Sequence, residues 1–513
     1  MSFAKLLPIG QRVFWVIFLV TLPVTSFPYL PAELGGSTQV RPLAMYPLLV
    51  LLILVTVPRL FQKRLPLTFL PLFAFIAAVA LSGFFSLALD IEAFKGVTIA
   101  ARLLRNLITL GIGVAVYLTV ALYPRSEEDL NFSLRWLYIG FGAVLLWGSF
   151  QIIYILSYNE GYFNLLNRVQ SLISTQALFQ TRISGFTYEP KWFAEQITFL
   201  LMPWLTAALI SKRSVFRWHF RWISVESLLL LWSAIVLLFT FSRTGLFILI
   251  LLTFVSVLVS RSFRKPQNSP PSPGGALPPG ESRGEGSLAA PNRRLRVIEA
   301  GLAALALTVI LVIVGSQNPY FSRLWRYWSD ERARDKTYLE YIAFGQRFAY
   351  AETALRIFED YPVLGVGLGN YAFFFDKKLP NRPWQNSPEI IRQITPTERG
   401  SQLVTPKNLY ARLLAETGLV GTILFSSFVI AVLGCALFLL FAPLAASRYW
   451  GLAGLLGILV FVTVVFSTDS FAVPNMWVVF GLITAAAHIP ENSPQTESSA
   501  LAGPASALAT ASR

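Results

Sequence analysis

Apolar runs long enough to cross a bilayer recur from one end of this chain to the other, and that repetition constrains its fold more than any single motif. A helix bridges a hydrocarbon core of about 30 Å with roughly 20 residues. Runs of this kind occupy 13–30, 43–58, 66–89, 104–123, 136–158, 191–210, 223–241, 244–260, 297–315, 418–441, 449–467 and 474–489. Of the 513 residues, 55% are hydrophobic and 13% charged, whereas soluble domains carry about 25% charged residues. The expected fold is all-α, a polytopic bundle of about twelve transmembrane helices with a helical cap on the outer face.

The first run follows Lys5 and Arg12 and lacks a small-residue cleavage site. It therefore reads as a retained anchor, with the N-terminus and, on this count, the C-terminus in the cytoplasm. In that orientation the basic clusters Arg59 to Arg64, Lys212 to Arg221, and Arg261 with Arg264 and Lys265 all face the cytoplasm, as the positive-inside rule requires. The formal charge of +15 then has a topological meaning, and nucleic acid is not an expected partner. The segment from Arg125 to Arg135 is the weakest vote, because Glu127, Glu128 and Asp129 offset its arginines.

Four regions follow. Residues 1–315 hold the first nine helices, interrupted by a Pro-, Gly- and Ser-rich cytoplasmic insert at 266–291. Residues 316–407 form the loop or cap on the outer face, 408–489 the last three helices, and 490–513 a cytoplasmic tail. Neither insert nor tail has the apolar content to bury a core. Within the cap, helical spacing over Tyr338 to Tyr361 predicts a face made of Ile342, Phe348, Ala351, Ala354, Leu355 and Phe358.

Arg243 lies in Phe-Ser-Arg-Thr-Gly, the short gap between two apolar runs. An arginine at membrane level belongs either at the rim, snorkelling to water, or in a polar cavity. Arg182, in Arg-Ile-Ser-Gly ahead of another run, falls on the same outer side. The planar guanidinium fork suits phosphate, and two such groups repel each other unless an anion sits between them. A diphosphate on a lipid carrier satisfies both.

Other residues carry two readings each. Glu189, before Pro190, is a helix-capping residue or an acid or base; Tyr188 and Lys191 beside it read as interfacial anchors. Gly365 to Asn370 resembles a phosphate loop but follows no strand, so a tight turn is expected, with Asn370 and Tyr371 within reach of a sugar. Asn408, Arg412 and Glu416 recur at helical spacing, and Arg412 with Glu416 is also readable as an intrahelical pair. Asp469 is a helix-end residue or a cavity carboxylate. Cys435 stands alone and His219 and His488 fall at the cytoplasmic ends of runs, so neither a metal site nor a redox cofactor is expected.

Four segments in order carry a resemblance: Arg-Ile-Ser-Gly-Phe-Thr-Tyr-Glu-Pro-Lys-Trp-Phe-Ala, Phe-Ser-Arg-Thr-Gly, Tyr-Pro-Val-Leu-Gly-Val-Gly-Leu-Gly-Asn-Tyr and Asn-Leu-Tyr-Ala-Arg-Leu-Leu-Ala-Glu-Thr-Gly-Leu-Val-Gly. From about Arg182 to Asp469 the chain resembles the O-antigen ligase and polymerase family of bacterial envelope proteins. The resemblance implies a multi-pass inner-membrane protein with a periplasmic active site. It implies metal-independent transfer of a glycan from an undecaprenyl diphosphate carrier to a hydroxyl of a glycan or glycolipid acceptor, among membrane lipids and without a cofactor. Arg182 and Arg243 match the arginines that hold the diphosphate and stabilise the leaving group.

The acceptor hydroxyl needs a base. Where ligases of the family carry a histidine this chain has Lys407, and an ammonium with a pKa near about 10.4 is a poor base. The candidates for catalysis are accordingly Glu189, Glu416 and Lys407, the last also as a phosphate ligand; Asn408, Tyr410, Arg412 and Asp469 are candidates for binding substrate. The Glu-Pro form of the Arg182 motif resembles the polymerase branch. Polysaccharide polymerisation is therefore the expected function, with ligation to lipid A-core or another acceptor as the alternative. A transporter, for example of inorganic carbon, is the alternative from another class; it needs interrupted helices, for which Pro203 is a candidate. The site requires that Arg182, Arg243, Lys407 and Glu416 line one outward cavity.

Overall fold

The structure, a computed structural model, describes residues 3–31, 39–61, 65–89, 91–220, 223–260, 293–334, 337–342, 344–381, 387–395 and 403–489. The expected insert at 266–291, the tail at 490–513 and the basic cluster at Arg261 to Lys265 lie outside these residues.

The described residues are mostly helical. In the first part run α1 (Phe3–Thr21), α2 (Met45–Leu51), α3 (Val57–Leu60), α4 (Phe69–Leu87), α5 (Ile99–Leu122), α6 (Glu127–Leu156) and α7 (Glu160–Ile173). Then come α8 (Pro190–Leu200), α9 (Met202–Ser211), a small antiparallel hairpin of β1 (His219–Phe220) and β2 (Ile223–Ser224), α10 (Val225–Phe239), α11 (Arg243–Ser260) and α12 (Arg293–Ser316). Short helices α13 (Pro319–Arg326), α14 (Tyr338–Tyr341), α15 (Gly345–Asp360), α16 (Tyr371–Lys378) and α17 (Pro388–Ile394) build the cap. The chain closes with α18 (Leu409–Phe441), α19 (Ala445–Val464) and α20 (Asn475–His488).

Among the described residues seven helical segments are long and apolar enough to cross a membrane, and α12 with α13, bent by 109°, makes an eighth if taken as one span. Four further apolar helices are shorter: α1, α2 with α3, α10 and α20. The all-α polytopic fold therefore stands, while the expected twelve runs divide into seven of spanning length, the bent α12–α13 pair, and four that are shorter. The first run is displaced most. Helix α1 stops at Thr21, not Leu30, because Pro23 and Pro28 lack the N–H a helix needs, and the chain beyond turns back so that Phe27 N–H bonds to Arg41 O at 2.9 Å.

Two helical units are buried nearly all round, α8 with α9 and α20, as expected of helices without a polar face. Pro203 sits in the first turn of α9, and the span breaks just before it at Leu201 (φ −116°, ψ −58°). Against α20, helix α5 offers Gly113, where a Cβ would lie 2.1 Å from Trp477 Nε1.

Helix α18 is the longest, and it is not continuous: Gly418 has φ 62° and ψ −163°. The Gly365–Gly369 loop docks on this break. Val366 and Gly367 N–H groups bond to the carbonyls of Ala415 and Glu416 at 3.0 and 2.9 Å, while Leu419 and Val420 N–H groups bond to those of Pro362 and Val363 at 2.8 and 3.1 Å. Backbone groups released by the break thus find partners, as burial demands. At Gly365 (φ +67°) a Cβ would stand 2.5 Å from the Glu416 carbonyl carbon, so glycine is required. The motif is a tight turn. Asn370 and Tyr371 are fully buried, with Asn370 Nδ2 donating to Ser86 Oγ and Val366 O and Tyr371 O–H to Tyr350 O; contrary to expectation, neither presents its side chain at the surface.

In the cap, the expected helical face is rotated. On α15 the buried residues are Gln346, Ala349, Tyr350, Thr353, Ala354 and Ile357, while Phe348 and Leu355 are exposed. The small Ala349 and Ala354 let α15 close on its neighbours, and only Ala354 is shared with the expected face.

The bundle has two chemically distinct ends. One gathers Arg12 over the Phe132 ring, Arg59 on the carbonyls of Leu122 and Tyr123, Arg135 on Val215 O and Arg213 on Glu127 and Asn131. The acidic run that weakened the charge vote is there too: Glu127 to Asp129 form the first turn of α6 behind the Ser126 cap, where the helix dipole favours negative charge.

Candidate functional site

At the opposite end the sequence-distant segments meet. Arg182 Nε donates to Thr240 O at 3.0 Å, which fixes the α7–α8 loop on the α10–α11 hairpin. At the tip of that hairpin Phe241 has φ +47°, an outlier for a bulky residue. Its ring is buried beside Phe321, and that burial holds the turn from which Arg243 opens α11.

The two guanidinium groups converge on one ring. Arg182 lies 4.1 Å and Arg243 5.6 Å from the centroid of Tyr320. Both arginines are half-buried, and Arg243 Nε is a buried donor with no acceptor among the described residues. Arg243 also donates to Ile342 O at 3.1 Å. Burial pulls the Arg182 guanidinium below its usual pKa, against the opposing influence of Tyr320 and Glu189; an arginine remains charged regardless.

Sequence reasoning missed Tyr320, although the signal was local. Asn318-Pro319 is a helix restart, with Asn318 Oδ1 accepting from Tyr320 and Phe321 N–H at 2.9 and 3.3 Å and Pro319 in the first turn. Asn318 Nδ2 donates to Thr181 O at 2.7 Å, and this bond, next to Arg182, swings α13 over the arginines.

Beside this pair opens a cavity of about 440 Å³ whose walls include Glu189, Lys191, Arg347, Lys407, Ser467 and Asp469. Thr244 Oγ1 and Ser467 Oγ lie 3.3 Å apart and join the hairpin to the cavity wall. Glu189 has extended backbone and makes no capping bond to α8; its carboxylate faces the cavity instead. Lys191 is not an interfacial anchor. Its ammonium bonds to Ser467 O and lies 3.3 Å from the buried Glu195 carboxylate.

Lys407 adopts φ +52°, a left-handed conformation that costs a non-glycine residue about 1–2 kcal/mol. Asp469 Oδ2 accepts its N–H at 2.8 Å, and its ammonium donates to Glu389 Oε1 at 2.6 Å over the Tyr350 ring. Tyr350 O–H donates to the same Glu389 oxygen at 2.7 Å. Burial raises the Glu389 carboxyl, but the Lys407 ammonium, helped by the Tyr350 hydroxyl and the Arg347 guanidinium, more than offsets it and holds the group below the usual carboxylate range.

The four residues expected to share one cavity occupy three places. Arg182 and Arg243 stand together on Tyr320 at its border, Lys407 lines it, and Glu416 is sealed behind it. Glu416 Oε2 accepts from Arg412 Nε at 2.8 Å and from Gly369 N–H at 2.7 Å. Arg412 in turn donates to Asn106 Oδ1 and to Asp469 O, both at 2.7 Å. Neither Arg412 nor Glu416 lines the cavity, and the glycine loop packs on the α18 break beside them. Asn408 is the α18 N-cap, its Oδ1 accepting from Ala411 N–H at 3.2 Å, and Tyr410 donates to Val462 O at 3.1 Å; both side chains are engaged in holding the helix.

Residues 228–426 match the family model described as O-antigen ligase, a region running from α10 through the cap to the first half of α18. No curated protein matches the chain. Together with the membrane-length apolar helices, this match supports a multi-pass membrane protein similar to the O-antigen ligase/polymerase family, whose general chemistry is glycan transfer.

Proposed function

We propose that this protein is a polysaccharide polymerase that works without a metal on the periplasmic face, extending a chain carried on undecaprenyl diphosphate. The observation that carries the reading is the convergence of Arg182 and Arg243 on one ring beside a cavity lined by Glu189, whose carboxylate has no hydrogen-bond partner among the described residues. The Arg59 and Arg213 end, being basic, is the cytoplasmic one under the positive-inside rule, which leaves the cavity outside.

The diphosphate lies between the two guanidinium groups, whose charge is strongest where it develops on the leaving oxygen. An acceptor hydroxyl enters the cavity and Glu189 accepts its proton. The acceptor oxygen bonds to the anomeric carbon as the bond from that carbon to the diphosphate oxygen breaks, and the configuration inverts. Glu189 is the base in preference to Glu416, whose carboxylate is committed to Arg412 and Gly369. Lys407, fixed by Glu389 and Asp469, is a positioned cation and not a base, with Asp469 shaping the acceptor side.

Deletion of the gene distinguishes the products. A polymerase leaves single repeat units on the carrier, a ligase leaves finished polymer stranded there, and unchanged glycans with lost solute uptake indicate a transporter. Single repeat units sustain the proposal; either other result overturns it.

A further inference from the structure

Five basic side chains line the cavity, Lys95, Lys191, Arg347, Arg392 and Lys407, against the two carboxylates Glu189 and Asp469. Their charges are not equally available. Lys191 is matched by Glu195, Lys407 by Glu389, and Lys95 is buried with its ammonium donating to Arg392 O at 2.8 Å. Arg347 differs. Among the described residues its one hydrogen bond is a long contact of 3.5 Å from Nη1 to Lys407 O, and no carboxylate is within ion-pair distance. A guanidinium has five N–H donors, so most of those on Arg347 are left for a ligand. It is half-buried, which strengthens a charge-assisted bond relative to one in open water. Helix α15 holds it in place through buried Gln346, Ala349 and Tyr350.

We infer that the cavity contains a second anion seat, formed by Arg347 with Arg392 at its rim, which takes a carboxylate, sulfate or phosphate substituent of the glycan and so selects acidic polysaccharide. It rests on the reading of the cavity as a glycan site. Two sources can supply such an anion, the sugar itself or the carrier diphosphate. The seat is assigned to the sugar because the diphosphate has its own pair of arginines outside the cavity wall, around Tyr320.

Binding tests this without requiring transfer, so its failure is separable from failure of the proposed polymerase activity. The probes are a glucuronate–N-acetylglucosamine oligosaccharide, the same oligosaccharide with its carboxylates reduced to neutral hydroxymethyl groups, and inorganic diphosphate, each titrated against the full-length protein in lipid nanodiscs. The expected result is a preference of about tenfold or more for the acidic oligosaccharide, the scale of one charge-assisted hydrogen bond. Arg347→Gln removes that preference, Arg347→Lys retains part of it, and Arg182→Ala with Arg243→Ala removes diphosphate binding alone. Equal affinity of the wild-type protein for the two oligosaccharides overturns the inference. So does an Arg347→Gln protein that keeps its preference, or one that loses diphosphate binding to the same extent as the Arg182 and Arg243 variant.

Discussion

Two places at the same end of the bundle combine arginine with glutamate, and they differ in what surrounds the carboxylate. In the clasp, Glu416 and Arg412 are 0% and 5% exposed, and three segments supply their partners. At the cavity, Glu189 lies beside Arg182 without a hydrogen bond to its own helix and faces open space. The residue types are the same, but a sealed ion pair holds structure together whereas an accessible carboxylate without a hydrogen bond among the described residues is available for a substrate. Strain follows the same division. Three of the four non-glycine residues with positive φ among the described residues, Lys95, Phe241 and Lys407, lie around the cavity and the arginine hairpin, where such conformations persist only if neighbours enforce them; the fourth, Lys212, is the C-cap of α9 at the other end.

The comparison breaks most readily at Glu189. Glu189→Gln is expected to reduce polymer formation by about 10²- to 10⁴-fold, the range for loss of a general base, with the melting temperature unchanged; a lower melting temperature alongside full activity makes Glu189 a structural residue after all. Next in size is Arg412→Ala, which strands a buried carboxylate at a cost of about 3–5 kcal/mol. Thermal unfolding in detergent reads that loss, and a variant that melts normally yet makes no polymer moves the clasp into the chemistry. Replacing both members, Arg412→Met with Glu416→Leu, is expected to recover much of the stability, since a well-packed apolar pair avoids the desolvation cost.

Arg182→Ala and Arg243→Ala are each expected to lower transfer by about 10²- to 10³-fold, as removal of one charge-stabilising donor does elsewhere. Chain-length profiles on gels read this directly, and normal profiles in both variants remove the diphosphate seat. The smallest effect belongs to the Lys407–Glu389 bond, which is partly exposed and so contributes below about 1 kcal/mol. Because Glu389 is held below its ordinary pKa, this contribution is complete above the unfolded value of about 4.3 and is lost as pH falls through the folded one. Melting curves of the wild-type protein and Glu389→Gln are therefore expected to differ near neutral pH and to converge in acid.

Particular residues show where sequence reasoning reached the site and where it stopped. Arg182 and Arg243 were legible because a charged side chain at membrane level has few permitted places, and the ordered motifs tied both to one family. Arg347 and Tyr320 were not, since an arginine and a tyrosine in a polar loop are ordinary until their neighbours are known. Glu416 was legible as the partner of Arg412 through its spacing, but nothing in that spacing told whether the pair faced a cavity or a sealed interior.

The apolar periodicity by itself determined that this is an all-α membrane protein, because only long helices accommodate such runs, and the motif order carried a resemblance to one family. Tertiary structure alone decided which charges are spent. A break at Gly418 lets the glycine loop pack beside Glu416, and a 109° bend after α12 brings Tyr320 onto the arginines. Both depend on contacts between segments about 50 residues apart or more. Exposure, which separates a structural carboxylate from a chemical one, is a property of that packing and not of either residue.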